Sequence, residues 1–330
     1  MARFGRHLLT FTIVGIACYT GLVFAGQSGD FWGALHSFPG SYVPLLLGLA
    51  LLNYLLRYAR WHMYLRALGV RIGHWRNCQV FMAGLAMSVT PGKAGEALKA
   101  HLLRRDINNP WPVGLPAVFA ERLTDLMGVV ILVVIGLSCL PVGRGVALLG
   151  VVTCLVLFLI FSRPAFLKPL IRLLGKMPRM SGPSQSLAEM QINVQRLLSF
   201  RLLLAALSIS VVAWFSECLV LYFALVVSGG KASLMEATFI YALSTLAGAF
   251  SLLPGGLVVT EGSMAGLLRL FGVELSRGAM VTLIVRLCTL WFAVLMGMIF
   301  LFLSERKIGF RKGRISTERS VQVKFEGEIH

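Results

Sequence analysis

Charged side chains interrupt the apolar segments of the sequence, where an ionised group is costly unless it is paired or wetted. Arg122 stands directly after Glu121 and three residues before Asp125 in one such segment, and Arg286 lies within the last one. A guanidinium presents donors that match the oxygens of a phosphate in a bidentate way. Arg122 and Arg286 therefore predict a phosphate-binding site. The alternative for Arg122 is a pair with a carboxylate that locks two helices together.

A first group of candidate residues follows a break in the apolar sequence. Pro91 and Gly92 end a helix there, and Lys93 and Glu96 come next, with Gly95 between them. A half-helix that starts after the break would point its free N–H groups into the membrane, and this end together with Lys93 suits an anion such as a phosphate. The alternative is that Glu96 pairs with a neighbouring lysine in a cytoplasmic loop.

A second group follows a similar break. Pro254, Gly255 and Gly256 interrupt the apolar sequence, and Thr260 and Glu261 come shortly after them. Proline and glycine both end a helix, so each of the two motifs predicts a bend that could act as a gate.

The two groups suggest two Glu–Arg pairs near the membrane centre, one of Glu96 with Arg122 and one of Glu261 with Arg286. Such a pair can be exchanged for a substrate phosphate, or it can relay a proton. The substrate-binding candidates are Lys93, Glu96, Arg122, Thr260, Glu261 and Arg286.

Four carboxylates are candidates for proton coupling: Glu96, Asp125, Glu217 and Glu261. Glu217 lies within an apolar segment, one helical turn after Trp214. A carboxylate in such a segment can carry a proton or bind a cation. A buried, hydrogen-bonded structural role for Glu217 is the alternative.

The composition places these residues in a membrane protein. Of the 330 residues, 57% are hydrophobic and 14% are charged, against roughly 25% charged in an ordinary soluble domain. A soluble enzyme would carry more charge, and a disordered chain would be less hydrophobic. A nucleic-acid binder would carry its basic residues on a polar surface rather than between apolar runs. We therefore expect an all-α polytopic membrane protein with no nucleic-acid partner.

Six segments are long and apolar enough to cross a bilayer, since a span needs about 20 mostly apolar residues. They are residues 7–25, 42–57, 113–139, 146–161, 202–227 and 280–303. Two further stretches, 79–104 and 234–271, contain the Pro-Gly breaks. Their arms are mostly too short to cross, so we expect two re-entrant hairpins.

The net charge of +17 predicts the orientation of these spans. With both termini in the cytoplasm, the main basic clusters all fall on one side of the membrane, and eight spans would give the same parity as six. One cluster follows the second span and consists of Arg57, Arg60, Arg66, Arg71 and Arg76. We expect a multi-pass protein of the inner membrane of a bacterium.

The landmarks of the two halves recur at a nearly constant separation. Pro91 and Pro254 are 163 residues apart, and Arg122 and Arg286 are 164 residues apart. Each half then holds three spans and one hairpin, and an odd number of spans turns the second half upside down. This pattern is typical of an inverted-repeat transporter with its site near the membrane midplane. The alternative is chance, because Pro-Gly and Arg-Leu pairs are common.

The chain is expected to form a single membrane domain over residues 1–304, with repeats at about 1–140 and 141–304, and a polar cytoplasmic tail over 305–330. The basic central loop holds two amphipathic segments, 166–174 and 187–198, which we expect on anionic lipid headgroups. There is no nucleotide loop, metal-ligand spacing or Ser-His-Asp arrangement in a suitable context. We expect no enzyme activity, no metal and no cofactor.

The ordered motifs resemble those of the lysylphosphatidylglycerol synthase transmembrane family, also described as flippase-like membrane proteins. The matching runs are Ser88-Val89-Thr90-Pro91-Gly92-Lys93-Ala94-Gly95-Glu96-Ala97-Leu98-Lys99, Glu121-Arg122-Leu123-Thr124-Asp125, Leu253-Pro254-Gly255-Gly256 and Thr260-Glu261-Gly262. The resemblance implies a membrane domain that moves lipids between leaflets. Some members add a soluble aminoacyltransferase domain, which we do not expect here because a short tail follows Ser304. Val258 and Val259 stand where the family often has a glycine.

These observations predict a lipid flippase or scramblase for a phosphate-bearing lipid, which could be a phospholipid, an aminoacylated lipid or a polyprenyl-phosphate carrier. The two hairpins would open alternately to the two leaflets, with proton coupling if a gradient is used. The alternative is a membrane scaffold that binds lipid or a partner lipid-modifying or glycan-synthesis enzyme and moves nothing.

Overall fold

The computed structural model describes residues 30–90, 98–103, 106–107, 111–138, 152, 156 and 184–304, and within these ranges the regular structure is entirely helical. The helices are α1 Asp30–Ser37, α2 Val43–Ala67, α3 His74–Leu85, α4 Leu98–Leu102, α5 Trp111–Ser138, α6 Ser184–Leu197, α7 Phe200–Val227, α8 Leu234–Phe250, α9 Val259–Leu270 and α10 Leu275–Ser304. The all-α membrane architecture predicted from the sequence agrees with this set of helices.

Three of these helices are long and apolar enough to cross a membrane: Gly40–Ala67, Phe200–Val227 and Leu275–Ser304. They contain most or all of the predicted spans 42–57, 202–227 and 280–303. The 28 residues of α7 give roughly 42 Å of helix, which exceeds the ~30 Å hydrocarbon core of a bilayer. The predicted spans 7–25 and 146–161 lie outside the described residues, apart from positions 152 and 156.

The fourth long helix, α5, corresponds to the predicted span 113–139 and has 28 residues. Its first half carries Glu121, Arg122 and Asp125, which interrupt an otherwise apolar sequence. Helices α2, α7 and α8 pack around it, so that these charges face protein rather than lipid.

The end of the second predicted span was placed too early. Helix α2 continues to Ala67, so Arg57 and Arg60 lie inside the helix and not in a cytoplasmic loop. Arg60 is fully buried and Arg57 is 5% exposed. The charge of these arginines is offset by a carboxylate of α5, which allows an apolar helix to keep them at depth.

The same turn follows α2 and α7. Gly69 has φ +77° and Gly229 has φ +74°, which an L side chain rarely adopts. The backbone N–H of Val70 donates to Leu65 over 2.9 Å, and that of Gly230 donates to Leu225 over 2.9 Å. Both turns lead into the first helix of an interrupted apolar stretch, α3 in the first half and α8 in the second.

Helix α8 begins with a capping box. The Ser233 hydroxyl accepts the N–H of Glu236 over 3.2 Å, and the Glu236 carboxylate accepts the N–H of Ser233 over 2.7 Å. These bonds satisfy two backbone donors at the helix start and explain why α8 starts at Leu234.

The predicted break at Pro254 is present. Residues 251–258, which we call the tip, join α8 to α9 through a short 3₁₀ turn at Pro254–Gly256. Val258 adopts φ +72° and Leu252 adopts φ +54°, so the chain bends at two residues that carry a Cβ. We call α8, the tip and α9 the second hairpin.

Helix α10 is not a regular α-helix throughout, because Leu287–Trp291 form a π turn directly after Arg286. Such single turns are often found at functional sites.

Helix α6, which holds most of the predicted amphipathic segment 187–198, packs against α5. Val194 and Leu197 are buried, and the Asn193 amide donates to the carbonyl of Pro112 over 2.7 Å. The apolar side of this segment is therefore covered by protein at Val194 and Leu197, and its contact with anionic headgroups stays a prediction. The segment 166–174 lies outside the described residues.

Candidate functional site

A cavity of about 320 Å³ lies between α2, α5, α7, α8, α10 and the tip. Its volume is at the lower end of the range for small-molecule pockets, roughly 300–1,000 Å³. Basic, acidic and hydroxyl side chains line its interior: Arg57, Arg122, Arg286, Asp125, Glu217, Ser88, Thr90, Thr245, Thr260 and Thr289. Such a polar interior is unusual at the depth of apolar helices and marks a candidate binding site.

The rim of the cavity is apolar. Phe250, Leu252 and Leu253 line it and are 70%, 67% and 42% exposed. All three belong to the end of α8 and to the tip. The cavity thus combines a charged interior with an apolar mouth, which suits a molecule that has a charged head and hydrocarbon chains.

Asp125 is the centre of the charged interior. The Nη2 atoms of Arg122 and Arg57 lie 2.9 Å and 3.6 Å from its Oδ2, and Nη2 of Arg60 lies 2.7 Å from its Oδ1. Helix α2 supplies Arg57 and Arg60 from positions three apart, which share one helix face. One carboxylate therefore faces three guanidinium groups, and the surroundings of Asp125 are electropositive.

Two neutral donors fix the orientation of Asp125. The Ser210 hydroxyl and the Trp214 indole N–H, both on α7, donate to Oδ1 over 3.2 Å and 3.0 Å. The Arg57 guanidinium carbon lies 5.8 Å from the centre of the Trp214 ring, within the range of a cation–π contact. Helix α7 thus holds both the acid and one of the arginines in place.

A second ion pair lies beside this cluster, away from the cavity. Lys99 Nζ of α4 lies 2.7 Å from Oε2 of Glu121, and both side chains are fully buried. The ammonium also lies 5.1 Å and 4.7 Å from the rings of Trp61 and Phe81. Gly84 leaves the room for this side chain, since a Cβ there would lie 2.6 Å from Lys99 Cγ.

The second hairpin contains a third ion pair. Arg286 Nε lies 2.6 Å from Oε1 of Glu261, and Arg286 Nη2 donates to the carbonyl of Gly255 over 2.8 Å. The predicted contact of Glu261 with Arg286 is therefore present. Its role in substrate binding stays a prediction.

Thr260 is buried between glycines and has no room for movement. A Cβ added to Gly248 would lie 1.9 Å from Thr260 Oγ1, and one added to Gly256 would lie 2.7 Å from the same atom. The two arms of the second hairpin therefore approach each other closely at these positions. Thr260 also lines the cavity, and its role in substrate binding stays a prediction.

Glu217 lies on the cavity wall one helical turn after Trp214. The Tyr241 hydroxyl of α8 donates a hydrogen bond to its Oε2, and Tyr54 of α2 also lines this part of the cavity. Glu217 is only 6% exposed, so its carboxylate is buried and hydrogen-bonded as well as accessible from the cavity.

Val89, which precedes the first break, lies in a small apolar cluster with Leu257, Leu290 and Val294, and all four side chains are nearly buried. Val89 stands just before Pro91 of the first break, and Leu257 belongs to the tip. We call these four residues the inter-break cluster.

The candidates Pro91, Gly92, Lys93, Gly95 and Glu96 lie outside the described residues. The predicted pair of Glu96 with Arg122 therefore stays a prediction.

Sequence reasoning missed Arg57 and Arg60 as site residues. Their spacing from each other and from Asn53 and Tyr64, three or four residues at each step, places a polar row on one face of an apolar helix. This row of polar residues is the sequence pattern that could have indicated Arg57 and Arg60 as site residues. In the described ranges, no three His, Cys, Asp or Glu side chains are grouped so that they could hold a metal ion.

Comparisons with known proteins place the chain among membrane proteins. Residues 12–297 match the family described as the lysylphosphatidylglycerol synthase TM region. A UPF0104 membrane protein of Pyrococcus horikoshii is 24% identical over 277 residues, covering 76% of this chain and 82% of the relative. A UPF0104 membrane protein of Methanothermobacter thermautotrophicus is 24% identical over 310 residues, covering 86% and 92%. A third, of Methanocaldococcus jannaschii, is 26% identical over 229 residues, covering 67% and 94%.

Proposed function

Since the chain belongs to the lysylphosphatidylglycerol synthase TM region family, whose relatives reported above are membrane proteins, we propose that it moves a phosphate-bearing lipid between the leaflets of a membrane. The lipid is a phospholipid, an aminoacylated lipid or a polyprenyl-phosphate carrier. The protein acts as a flippase or scramblase, needs no cofactor and catalyses no covalent reaction.

The observation that carries this proposal is the cavity with a charged interior and an apolar rim. Arg57, Arg122 and Arg286 supply guanidinium groups that match phosphate oxygens. Phe250 and Leu252 at the mouth let acyl chains stay in contact with the bilayer while the headgroup is inside. A site for a free anion would not need exposed apolar side chains at its entrance.

The headgroup phosphate enters a site that already holds compensating charge. Asp125 neutralises part of the charge of Arg57 and Arg122 when the cavity is empty of lipid. The phosphate binds the same guanidinium groups, and the hydroxyls of Thr245 and Thr289 are further donors on the wall. Because the arginines are never left in hydrocarbon without an anion, the headgroup can bind and leave at moderate cost.

The gates are the two hairpins, which open alternately toward the two leaflets. The recurring turn at Gly69 and Gly229 supports the proposal that the chain is built from two repeats. In this proposal each repeat has three spans, and the two repeats therefore have opposite orientations in the membrane. The 12 residues of α9 span roughly 18 Å, less than the hydrocarbon core, which supports a re-entrant second hairpin.

Proton coupling, if a gradient drives transport, uses the carboxylates of the cavity. Asp125 and Glu217 line it, and Glu261 binds Arg286 at its edge. Glu217 is the best placed of these, because it lines the cavity and its carboxylate accepts a hydrogen bond from the uncharged Tyr241 hydroxyl. Glu96 remains a candidate of the first hairpin.

We propose that the protein crosses the inner membrane several times and has both termini in the cytoplasm. Its basic loops contact anionic lipid. The relatives reported above come from archaea, whereas the source proposed for this chain is a bacterium. A lipid-modifying enzyme is a possible partner, since such an enzyme would supply or consume the lipid that is moved.

The proposal is tested with purified protein in liposomes that contain fluorescent phosphatidylglycerol, whose exposure on the outer leaflet is read by chemical quenching. Wild-type protein should make inner-leaflet label accessible, and Arg122→Ala and Arg286→Ala should not, while both variants keep the wild-type elution profile. Arg269→Ala, at the exposed end of α9, is the matched control and should transport normally.

Full transport by both cavity variants would refute the proposed site. Wild-type protein that binds the labelled lipid but leaves it on the inner leaflet would favour the scaffold function instead.

A further inference from the structure

Each hairpin arm after a break is tied to a neighbouring long helix by one buried ion pair, but the two pairs have different surroundings. Lys99 of α4 pairs with Glu121 of α5, and Glu261 of α9 pairs with Arg286 of α10. Lys99 and Glu121 are fully buried, and neither is among the described residues that line the cavity. Arg286 is among them, so a ligand in the cavity can reach it.

Arg286 holds two parts of the second hairpin at once. Its Nε binds the Glu261 carboxylate in the arm, and its Nη2 donates over 2.8 Å to the carbonyl of Gly255 in the tip. The tip is also packed from the other side, where a Cβ at Gly255 would lie 3.3 Å from Leu290 and 3.5 Å from Val89 Cα. The position of the tip therefore depends on the bond to Arg286 and on the inter-break cluster.

The backbone of the tip favours release. Leu252 and Val258 have φ of +54° and +72°, values that are unfavourable for residues with a Cβ. Two backbone turn bonds, from Gly256 N–H to Leu253 and from Leu257 N–H to Pro254, and one bond from Leu253 N–H to the Ser251 hydroxyl keep it folded. A segment with strained residues and few local bonds opens more readily than the helices that flank it.

We propose that Arg286 is a latch that a lipid phosphate opens. A phosphate in the cavity competes with the neutral Gly255 carbonyl for the guanidinium donors, and an ionised acceptor forms the stronger bond. The bond between Arg286 and Glu261 remains, so the arm stays attached to α10 while the tip is released. The inference rests on the proposed function, because the phosphate is that of the transported lipid.

The first hairpin responds differently. Its described arm is held by Lys99 in a closed pocket of Trp61, Phe81 and Gly84, where a phosphate cannot compete. Binding of the headgroup is thus sensed by the second hairpin, and the arm of the first hairpin stays in place at this step.

Hydrogen–deuterium exchange of the purified full chain in dodecyl maltoside micelles, which contain no phosphate, tests the latch. The probe is dihexanoyl phosphatidylglycerol, and dihexanoylglycerol is the phosphate-free control. We expect the amides of Gly256 and Leu257 to exchange about tenfold faster with the phospholipid, as the loss of one hydrogen bond to a charged group predicts. Amides of residues 98–103 should not change, and dihexanoylglycerol should have no effect.

A conservative variant separates the latch from general loosening. Arg286→Lys keeps the charge but loses the fork that holds two acceptors, so its tip should exchange rapidly without lipid and respond little to phosphate. Arg269→Lys makes the same change at the exposed end of α9 and should keep the wild-type response.

A wild-type tip that ignores the phospholipid, in protein that moves lipid in liposomes, would overturn the latch and leave the proposed function intact. A tip that responds in protein that moves no lipid would support the latch and refute transport. The latch would also be overturned if the tip amides of Arg286→Lys exchanged at the wild-type rates both with and without the phospholipid.

Discussion

The Nη2 atom of Arg60 lies 2.7 Å from Oδ1 of Asp125, and the arginine side chain is completely buried and does not line the cavity. Arg57 and Arg122 approach the other carboxylate oxygen and line the cavity. Asp125 thus contacts one arginine outside the cavity lining and two arginines that line the cavity. The same carboxylate stabilises the fold and sets the charge of the binding site.

Removal of the Asp125 charge should destabilise the protein. Asp125→Asn leaves three guanidinium groups beside a neutral side chain, and breaking a buried ion pair costs about 3–5 kcal/mol. We expect a clearly lower midpoint of thermal unfolding in detergent, measured by intrinsic fluorescence. Asp106→Asn is the matched control, since its pair with Arg76 is about a fifth exposed and should contribute about 0–1 kcal/mol. Equal midpoints for the two variants would contradict the central role of Asp125.

Arg57 should be required for transport. Arg57→Gln removes one of the guanidinium groups that line the cavity, and a lost hydrogen bond to a charged group predicts a transport rate about tenfold lower. The rate of chemical quenching of fluorescent phosphatidylglycerol in liposomes measures it. Arg66→Gln changes an exposed arginine near the end of the same helix and should leave the rate as it is. A similar loss in both variants would point to a general effect of positive charge on α2.

Glu217 should carry the pH dependence of transport if protons are coupled. Glu217→Gln keeps an acceptor for the Tyr241 hydroxyl but removes the titratable group, so the effect of an imposed pH gradient on lipid movement should disappear. The basal rate at equal pH should remain. Glu236→Gln, at the start of α8, retains a side chain that can complete the capping box and serves as the control. A gradient effect that survives in Glu217→Gln would exclude this residue as the coupling site.

The contact of Gly248 with Thr260 should be a sensitive point of the second hairpin. Gly248→Ala places a Cβ 1.9 Å from Thr260 Oγ1, so the arms must separate and the protein should lose about 1–3 kcal/mol of stability. Thr260→Ala removes that oxygen and should restore part of the loss in the double variant. Gly48→Ala, at a helix position with nothing within 4 Å, should be neutral or stabilising because alanine favours a helix. A destabilised double variant equal to the single one would show that another contact is responsible.

The sequence predicted those features of the fold and site that depend on nearby residues. The break at Pro254 follows from proline and glycine themselves, and the pair of Glu261 with Arg286 follows from charges within one hairpin and the next helix. Pairs between distant helices were not accessible in this way. The contacts of Arg57 and Arg60 with Asp125 depend on how α2 packs against α5, which local patterns do not encode.

The same limit applies to α6. Its amphipathic pattern correctly indicated an apolar face containing Val194 and Leu197. A pattern of this kind shows which side must be covered but not whether lipid or protein covers it. Here α5 covers it, with Asn193 bonded to the backbone of Pro112.

The inter-break cluster has a consequence for how movements of the tip and of Val89 depend on each other. Leu257 of the tip and Val89 before the first break are in the same cluster as Leu290 and Val294 of α10. A tip that moves away uncovers Val89, and a displacement of Val89 uncovers Leu257. Each opening therefore changes the free energy of the other by the same amount, as reciprocity between coupled equilibria requires. Four apolar side chains thereby couple the tip to the chain just before the first break through side-chain packing alone.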